Sequence, residues 1–267
     1  MFPLSFPNID PIIFSIGPLH LRWYGLMYVL GFIACYHLVK KQINEFGYKK
    51  LDQHLDNLNI VLILCVVLGG RLGYVIFYNP SYYIAHPLEI PATWSGGMSF
   101  HGACIALFIG GVIFCRRTGL NFWKTADLYA ATIPIGIGLG RIGNFINGEL
   151  FGRTTDLPIG MVFPYGGNLP RHPSQLYEAF FEGLILFLIL WLVRKKPWAD
   201  QKNNWPHGSI VALFLIVYGL FRIGIENFRE PDPQIGYILS LFSMGQILSS
   251  LMIISGLLVW RSRFNAQ

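Results

Sequence analysis

The stretch LYAATIPIGIGLGRIGNFINGELFG, residues 128–152, decides how the rest of the chain is read. Residues 128–146 are an apolar run of the kind that fills a bilayer helix, and Arg141 sits inside it. A charge at that depth costs roughly 2.5–3.5 kcal/mol on insertion scales, so such residues are rare unless they serve a site. Asn144, Asn147 and Glu149 follow closely. Arg222 and Glu226 repeat the pattern near the end of a later apolar segment.

Composition points the same way. Of 267 residues, 53% are hydrophobic and only 13% charged, with a mean hydropathy of +0.48. A soluble domain carries about 25% charged residues. The expected fold class is therefore all-α: a polytopic membrane protein forming one transmembrane domain over residues 1–267. A bilayer crossing needs about 20 mostly apolar residues. About seven such spans are expected, at residues 19–39, 58–78, 98–114, 128–145, 177–193, 209–226 and 237–260. Residues 1–17 have no basic side chain and carry Asp10 and three prolines ahead of the first run. They read as a segment at the membrane surface rather than a cleavable signal.

Several functions are disfavoured. Cys35, Cys65, Cys104 and Cys115 all fall within apolar runs, without metal-ligand spacing, and read as small core residues. The seven histidines form no HxxxH or HExxH pattern. No metal and no cofactor is expected. The net charge of +6 is carried at segment ends, which points to the lipid bilayer as partner and not to nucleic acid.

Lysine and arginine also orient the chain. Lys40, Lys41, Lys49 and Lys50 follow the first span, Arg116, Arg117 and Lys124 the third, Arg194, Lys195, Lys196 and Lys202 the fifth, and Arg261 and Arg263 the seventh. These connections are expected to be cytoplasmic, with the N-terminus outside and the C-terminus inside. The alternate connections, 79–97, 146–176 and 227–236, face out. The middle one is long enough to be a small extracytoplasmic cap. On this topology Tyr24, Arg71, His101, Arg141, Asn144, Glu149, Arg222 and Glu226 come to one outward depth.

Two readings of the arginines stand side by side. Arg222, Glu226 and Arg229 line one helix face, so Glu226 can pair internally. Arg141 has no acid within one turn and needs a partner from elsewhere. That partner is an anion such as a phospholipid headgroup, which suits the planar bidentate guanidinium, or a carboxylate such as Glu149 or Glu182. His101, in WSGGMSFHG, fits a general base near neutral pH, or a helix-start histidine bonded to a backbone carbonyl. Ser99 cannot be its nucleophile once the helix has begun, because i,i+2 side chains do not face each other. The dense glycines read first as close helix packing.

Taken together these stretches resemble the bacterial prolipoprotein diacylglyceryl transferases, nearly end to end. The signature around the arginine runs from Gly140 through Arg141, Asn144, Asn147 and Glu149 to Gly152. Supporting stretches are RWYGLMY at 22–28, GGRLGYV at 69–75, SGGMSFHG at 95–102, RHPSQLYEA at 171–179 and FRIGIENFREPD at 221–232. The resemblance implies an enzyme of the bacterial inner membrane with its active site toward the periplasm. Its reaction moves the diacylglyceryl group of phosphatidylglycerol to the lipobox cysteine of a preprolipoprotein, forming a thioether and releasing glycerol phosphate. It implies site residues Tyr24, His101, Arg141, Asn144, Glu149, Gly152, Arg222, Glu226 and Arg229. His101, Arg141 and Arg222 would carry the chemistry, and the others would bind substrate. A phospholipid transporter or a lipid-binding scaffold is the rival reading of the same arginines.

Overall fold

The computed structural model describes residues 4–7, 9–17, 19–93, 96–199, 204–230, 237–238 and 242–266. Trp94, Ser95, Lys202 and the stretch 239–241, which enter the sequence reading, lie outside the described residues. Among the described residues, eight principal helices run in chain order: α1 (Trp23–Phe46), α2 (Leu55–Phe77), α3 (Phe100–Thr118), α4 (Phe122–Ala130), α5 (Ile133–Ile146), α6 (Ser174–Trp198), α7 (Ser209–Glu226) and α8 (Met244–Asn265). Five of them, α2, α3, α6, α7 and α8, are long and apolar enough to cross a bilayer. The mostly helical, membrane-type architecture matches expectation.

Particular elements differ from the sequence reading. Residues 19–22 are not the start of a span but a strand, Leu19–Arg22, paired antiparallel with Ile12–Ile16. Two other short strand pairs occur, Leu4–Ser5 with Met161–Val162 and Tyr237–Ile238 with Phe242–Ser243. The expected span 128–145 is two helices, α4 and α5, broken at Ala131 and Thr132. Pro134 accounts for the break: it lacks a backbone N–H and is tolerated only in a helix's first turn. The resulting α5 has 14 residues, short of the roughly 20 a crossing needs.

The chain divides into two compact units, residues 40–125 and residues 1–39 with 126–267. In the first, α2 packs along α3 through the small residues the sequence singled out. A Cβ on Gly73 would lie 2.7 Å from Gly102 Cα, the close approach expected of small-residue helix contacts. Arg71 is buried there and spends its guanidinium on backbone carbonyls: Nε donates to Ile90 at 2.8 Å, Nη2 to Glu89 at 2.8 Å and Nη1 to Gly96 at 2.5 Å. It braces the loop after α2.

In the second unit, Ala130, Ala131, Leu186, Leu190 and Ile210 form a buried apolar cluster. The N-terminus of α7 is preceded by Gly208 and so has no capping side chain of its own. Asp127 of α4 supplies one, accepting from the backbone N–H groups of Gly208 (2.7 Å), Ile210 (3.1 Å) and Val211 (3.0 Å). These are the donors a helix start leaves unmet. Further along, α5 and α6 approach closely where Gly138 meets Gly183: a Cβ on Gly183 would lie 2.6 Å from Gly138 Cα. The contact falls in a π-helical stretch of α6, Ala179–Ile185. It sets the helix carrying Arg141 against the helix carrying Glu178 and Glu182.

Candidate active site

Arg141 lies one turn beyond Gly138, so the close α5–α6 contact carries it to two acids of α6. Its Nε is 2.8 Å from Glu178 Oε2, and its Nη2 is 3.9 Å from Glu182 Oε2. Arg222, from α7, reaches the same acids: Nη1 is 2.7 Å from Glu178 Oε1 and 3.6 Å from Glu182 Oε1, while Nη2 is 3.2 Å from Glu226 Oε2. Arg229, just past the end of α7, places Nη1 2.5 Å from Glu178 Oε1 and Nε 3.7 Å from Glu226 Oε2. Ser243, which caps α8 through a capping box with Gln246, also donates to Glu226 Oε1 at 2.9 Å.

Three guanidinium groups thus meet three carboxylates, and Glu178 touches all three arginines. Of the alternatives for Arg141, Glu182 lies at the edge of its reach, while Glu178, not singled out from the sequence, is its principal partner. Exposure separates the two kinds of group. Glu178 and Glu182 are 0% exposed, whereas Arg141, Arg222 and Arg229 keep 21%, 14% and 11% of their side chains accessible. Glu178 and Glu182 form the buried base of the cluster, Glu226 is 8% exposed, and the arginines keep more of their side chains accessible.

A second group of polar residues grows from the end of α5. The helix stops in a Schellman arrangement: Gly148 N–H donates to Phe145 O at 2.9 Å and Glu149 N–H to Asn144 O at 3.2 Å. Gly148 takes φ +66°, a conformation that suits glycine. This reversal returns the Glu149 carboxylate to the helix, where Oε1 accepts from Asn144 Nδ2 (2.9 Å) and Asn147 Nδ2 (3.0 Å). Asn144 is therefore engaged with Glu149. Tyr24, in the first turn of α1, packs on the same end of α5. A Cβ on Gly143 would lie 3.1 Å from the Tyr24 ring, and the Tyr24 hydroxyl is 3.0 Å from that of Tyr28.

Gly152 joins the segment after α5 to the segment after α7. Its N–H donates to His172 O at 2.8 Å, and the next N–H, of Arg153, donates to Phe228 O at 2.9 Å. Arg153 Nε also donates to Arg229 O at 2.7 Å. A Cβ on Gly152 would run into the Phe228 carbonyl oxygen and come within 2.8 Å of His172 Cβ. Gly152→Ala is therefore expected to displace Arg229 and cost on the order of 1–3 kcal/mol, as overpacking does. Thermal unfolding of the detergent-solubilised variant reads the cost, and an unchanged midpoint contradicts the assigned role. Burial holds the neighbouring His172 imidazole below the usual histidine range, and its Nδ1 lies 3.1 Å from Tyr177 Oη.

Eight of the nine residues expected at the site, all but His101, belong to the unit formed by residues 1–39 and 126–267. His101 belongs to the other unit, at the second position of α3. Ser99 is the N-cap of that helix and accepts from Gly102 N–H at 3.2 Å, so its hydroxyl is engaged as a cap.

A family model described as prolipoprotein diacylglyceryl transferase matches residues 11–261. The chain belongs to the prolipoprotein diacylglyceryl transferase family. It is 64% identical over 263 residues to the phosphatidylglycerol–prolipoprotein diacylglyceryl transferase of Desulfotalea psychrophila, covering 98% of this chain and 96% of the relative. It is 49% identical to the proteins of the same name from Geobacter sulfurreducens, with 95% of each chain covered, and from Vibrio vulnificus, with 95% and 91% covered. Glu178, Ser174, Gln175 and Ser243, which contact the expected site residues or their neighbours, were not named from the sequence. A signal for Glu178 was present: it precedes Glu182 by four residues, so both lie on one helix face.

Proposed function

We propose that this protein transfers the diacylglyceryl group of phosphatidylglycerol to the lipobox cysteine of a preprolipoprotein, with the arginine cluster receiving the phosphate. The supporting observation is the ion-pair cluster, in which Arg141, Arg222 and Arg229 stay partly accessible while Glu178 and Glu182 are fully buried, in a member of this transferase family. In the reaction a C–S bond forms at the glyceryl carbon while its C–O bond to phosphate breaks. The phosphodiester carries one negative charge and the departing glycerol phosphate approaches two. Guanidinium groups aimed at that phosphate stabilise the transition state more than the ground state.

Arg141 and Arg222 are the proposed phosphate ligands, with Arg229 and Glu226 completing their setting. Glu149, held by Asn144 and Asn147, is a proposed acceptor for the hydroxyls of the lipid headgroup, and Tyr24 lies alongside it. His101 is the proposed base for the thiol proton. His101→Gln is expected to lower turnover by about 10²-fold or more, the usual contribution of a general base. Near-normal turnover of that variant from pH 6 to 8 removes His101 from this role.

The proposed setting is the bacterial inner membrane, with about seven spans, the N-terminus outside, residues 146–176 as an extracytoplasmic cap and the site facing outward. A cysteine placed at Asn168 is expected to react with a membrane-impermeant maleimide on intact cells, and one at Lys49 is not. The reverse pattern contradicts the orientation. The reaction itself is tested by mass spectrometry of a lipobox peptide incubated with the protein and phosphatidylglycerol. The cysteine peptide gains one diacylglyceryl group, and its serine counterpart gains none. An unmodified cysteine peptide contradicts the proposal.

A further inference from the structure

Among the described residues, Leu150 is the one non-glycine residue with a positive φ, +58°. That region is disfavoured for a bulky side chain. Strain of this kind persists only where the surroundings over-determine it, and it gathers at functional sites. The surroundings here are specific. Gln175 Nε2 donates to Glu149 O at 2.6 Å, and Ser174 Oγ donates to Leu150 O at 3.1 Å. Ser174 and Gln175 are both 0% exposed, in the first turn of the helix that carries Glu178. Their hydrogen bonds fix the carbonyls on either side of the strained backbone.

The strain is not offset by burial of the leucine, which is 42% exposed. Glycine would suit the backbone better, and asparagine would suit both the conformation and the exposure. An apolar side chain held there against its backbone preference, directly after Glu149, calls for an apolar ligand group. We infer that Leu150 is a specificity-determining residue that packs against an apolar side chain next to the thiol in the peptide substrate, with Ser174 and Gln175 as its positioning residues.

This inference rests on the proposed transfer reaction. A peptide fits the position better than an acyl chain. Leu150 lies beyond the end of α5, in a segment whose backbone pairs with residues 171–172 and 228–229. The apolar helix faces are the surfaces suited to an acyl chain.

The test is steady-state kinetics in phosphatidylglycerol micelles with two cysteine peptides, bearing leucine or alanine near the thiol. Leu150→Ala and Leu150→Gly are expected to raise the peptide KM about tenfold, the scale of a lost apolar pocket contact. Both should leave the phosphatidylglycerol KM unchanged and erase the wild-type preference for the leucine peptide. Leu150→Gly should unfold at a temperature no lower than wild type, because the strain is relieved. Ser174→Ala keeps the leucine but frees its carbonyl, and should raise the peptide KM in smaller measure. It keeps the test open should the Leu150 variants fold poorly. An unchanged peptide KM in the folded variants overturns the inference, as does a raised lipid KM with an unchanged peptide KM. A wild-type protein that modifies neither peptide overturns the proposed reaction itself, and this inference with it.

Discussion

Glu178→Ala is expected to lower stability by roughly 3–5 kcal/mol, the cost of stripping one partner from a buried ion-pair network. Glu178 is fully buried and contacts Arg141 at 2.8 Å, Arg222 at 2.7 Å and Arg229 at 2.5 Å. Without it, three guanidinium groups face one another with only Glu182 and Glu226 between them. Glu182 cannot replace it, since its contacts to Arg141 and Arg222 are 3.9 and 3.6 Å. Glu182→Ala should therefore cost less. Thermal unfolding of the two variants in the same detergent gives the order, and a Glu182 effect equal to or larger than that of Glu178 contradicts it. Activity of Glu178→Ala should fall even where the protein stays folded, because the arginines lose the group that fixes their spacing.

Arg141→Lys should lower kcat by about 10²- to 10³-fold, the usual range for losing one charge-stabilising contact in a transition state. The substitution keeps a positive charge. It discards the planar fork, which lets one edge of Arg141 meet Glu178 while the remainder stays accessible to an anion. A lysine ammonium can satisfy the glutamate or reach the phosphate, but it does not present two parallel N–H groups while doing so. Assays at saturating lipid separate the kcat effect from weaker binding. Full activity of Arg141→Lys would sink the bidentate role.

Much of this architecture was legible in the sequence, where a local signal was strong. The expected segment 209–226 has the bounds of α7, because it is apolar up to Arg222 and flanked by Gly208 before and Asn227 after. The fourth span was misread because hydropathy averages across Pro134, which splits it into α4 and α5. Leu19–Arg22 looked like helix because its apolar residues adjoin a longer apolar run. Its pairing with Ile12–Ile16 could not be seen in a window of composition. Arg71 is expected at the outward depth of the other polar residues, and its guanidinium is satisfied by loop carbonyls 18 and 19 residues further on, partners that the sequence does not reveal.

At the site, residue types were readable and partners were not. Arg141, Asn144, Glu149, Arg222 and Glu226 stand out because polar groups in apolar runs are expensive. The pairing of Arg141 with Glu178 joins residues 37 positions apart in sequence and depends on the Gly138–Gly183 approach, a tertiary contact. The strain at Leu150 has no sequence signature, since leucine is an ordinary residue in an apolar chain.

The most direct test of the central claim is glycerol phosphate release from phosphatidylglycerol micelles by the purified protein, with and without a lipobox peptide. The predicted result is release that requires the peptide cysteine and disappears in Arg141→Ala. Lipid that binds in an Arg141-dependent manner, with no release in the presence of the peptide, would contradict it and mark the arginine cluster as a lipid-binding or transport site.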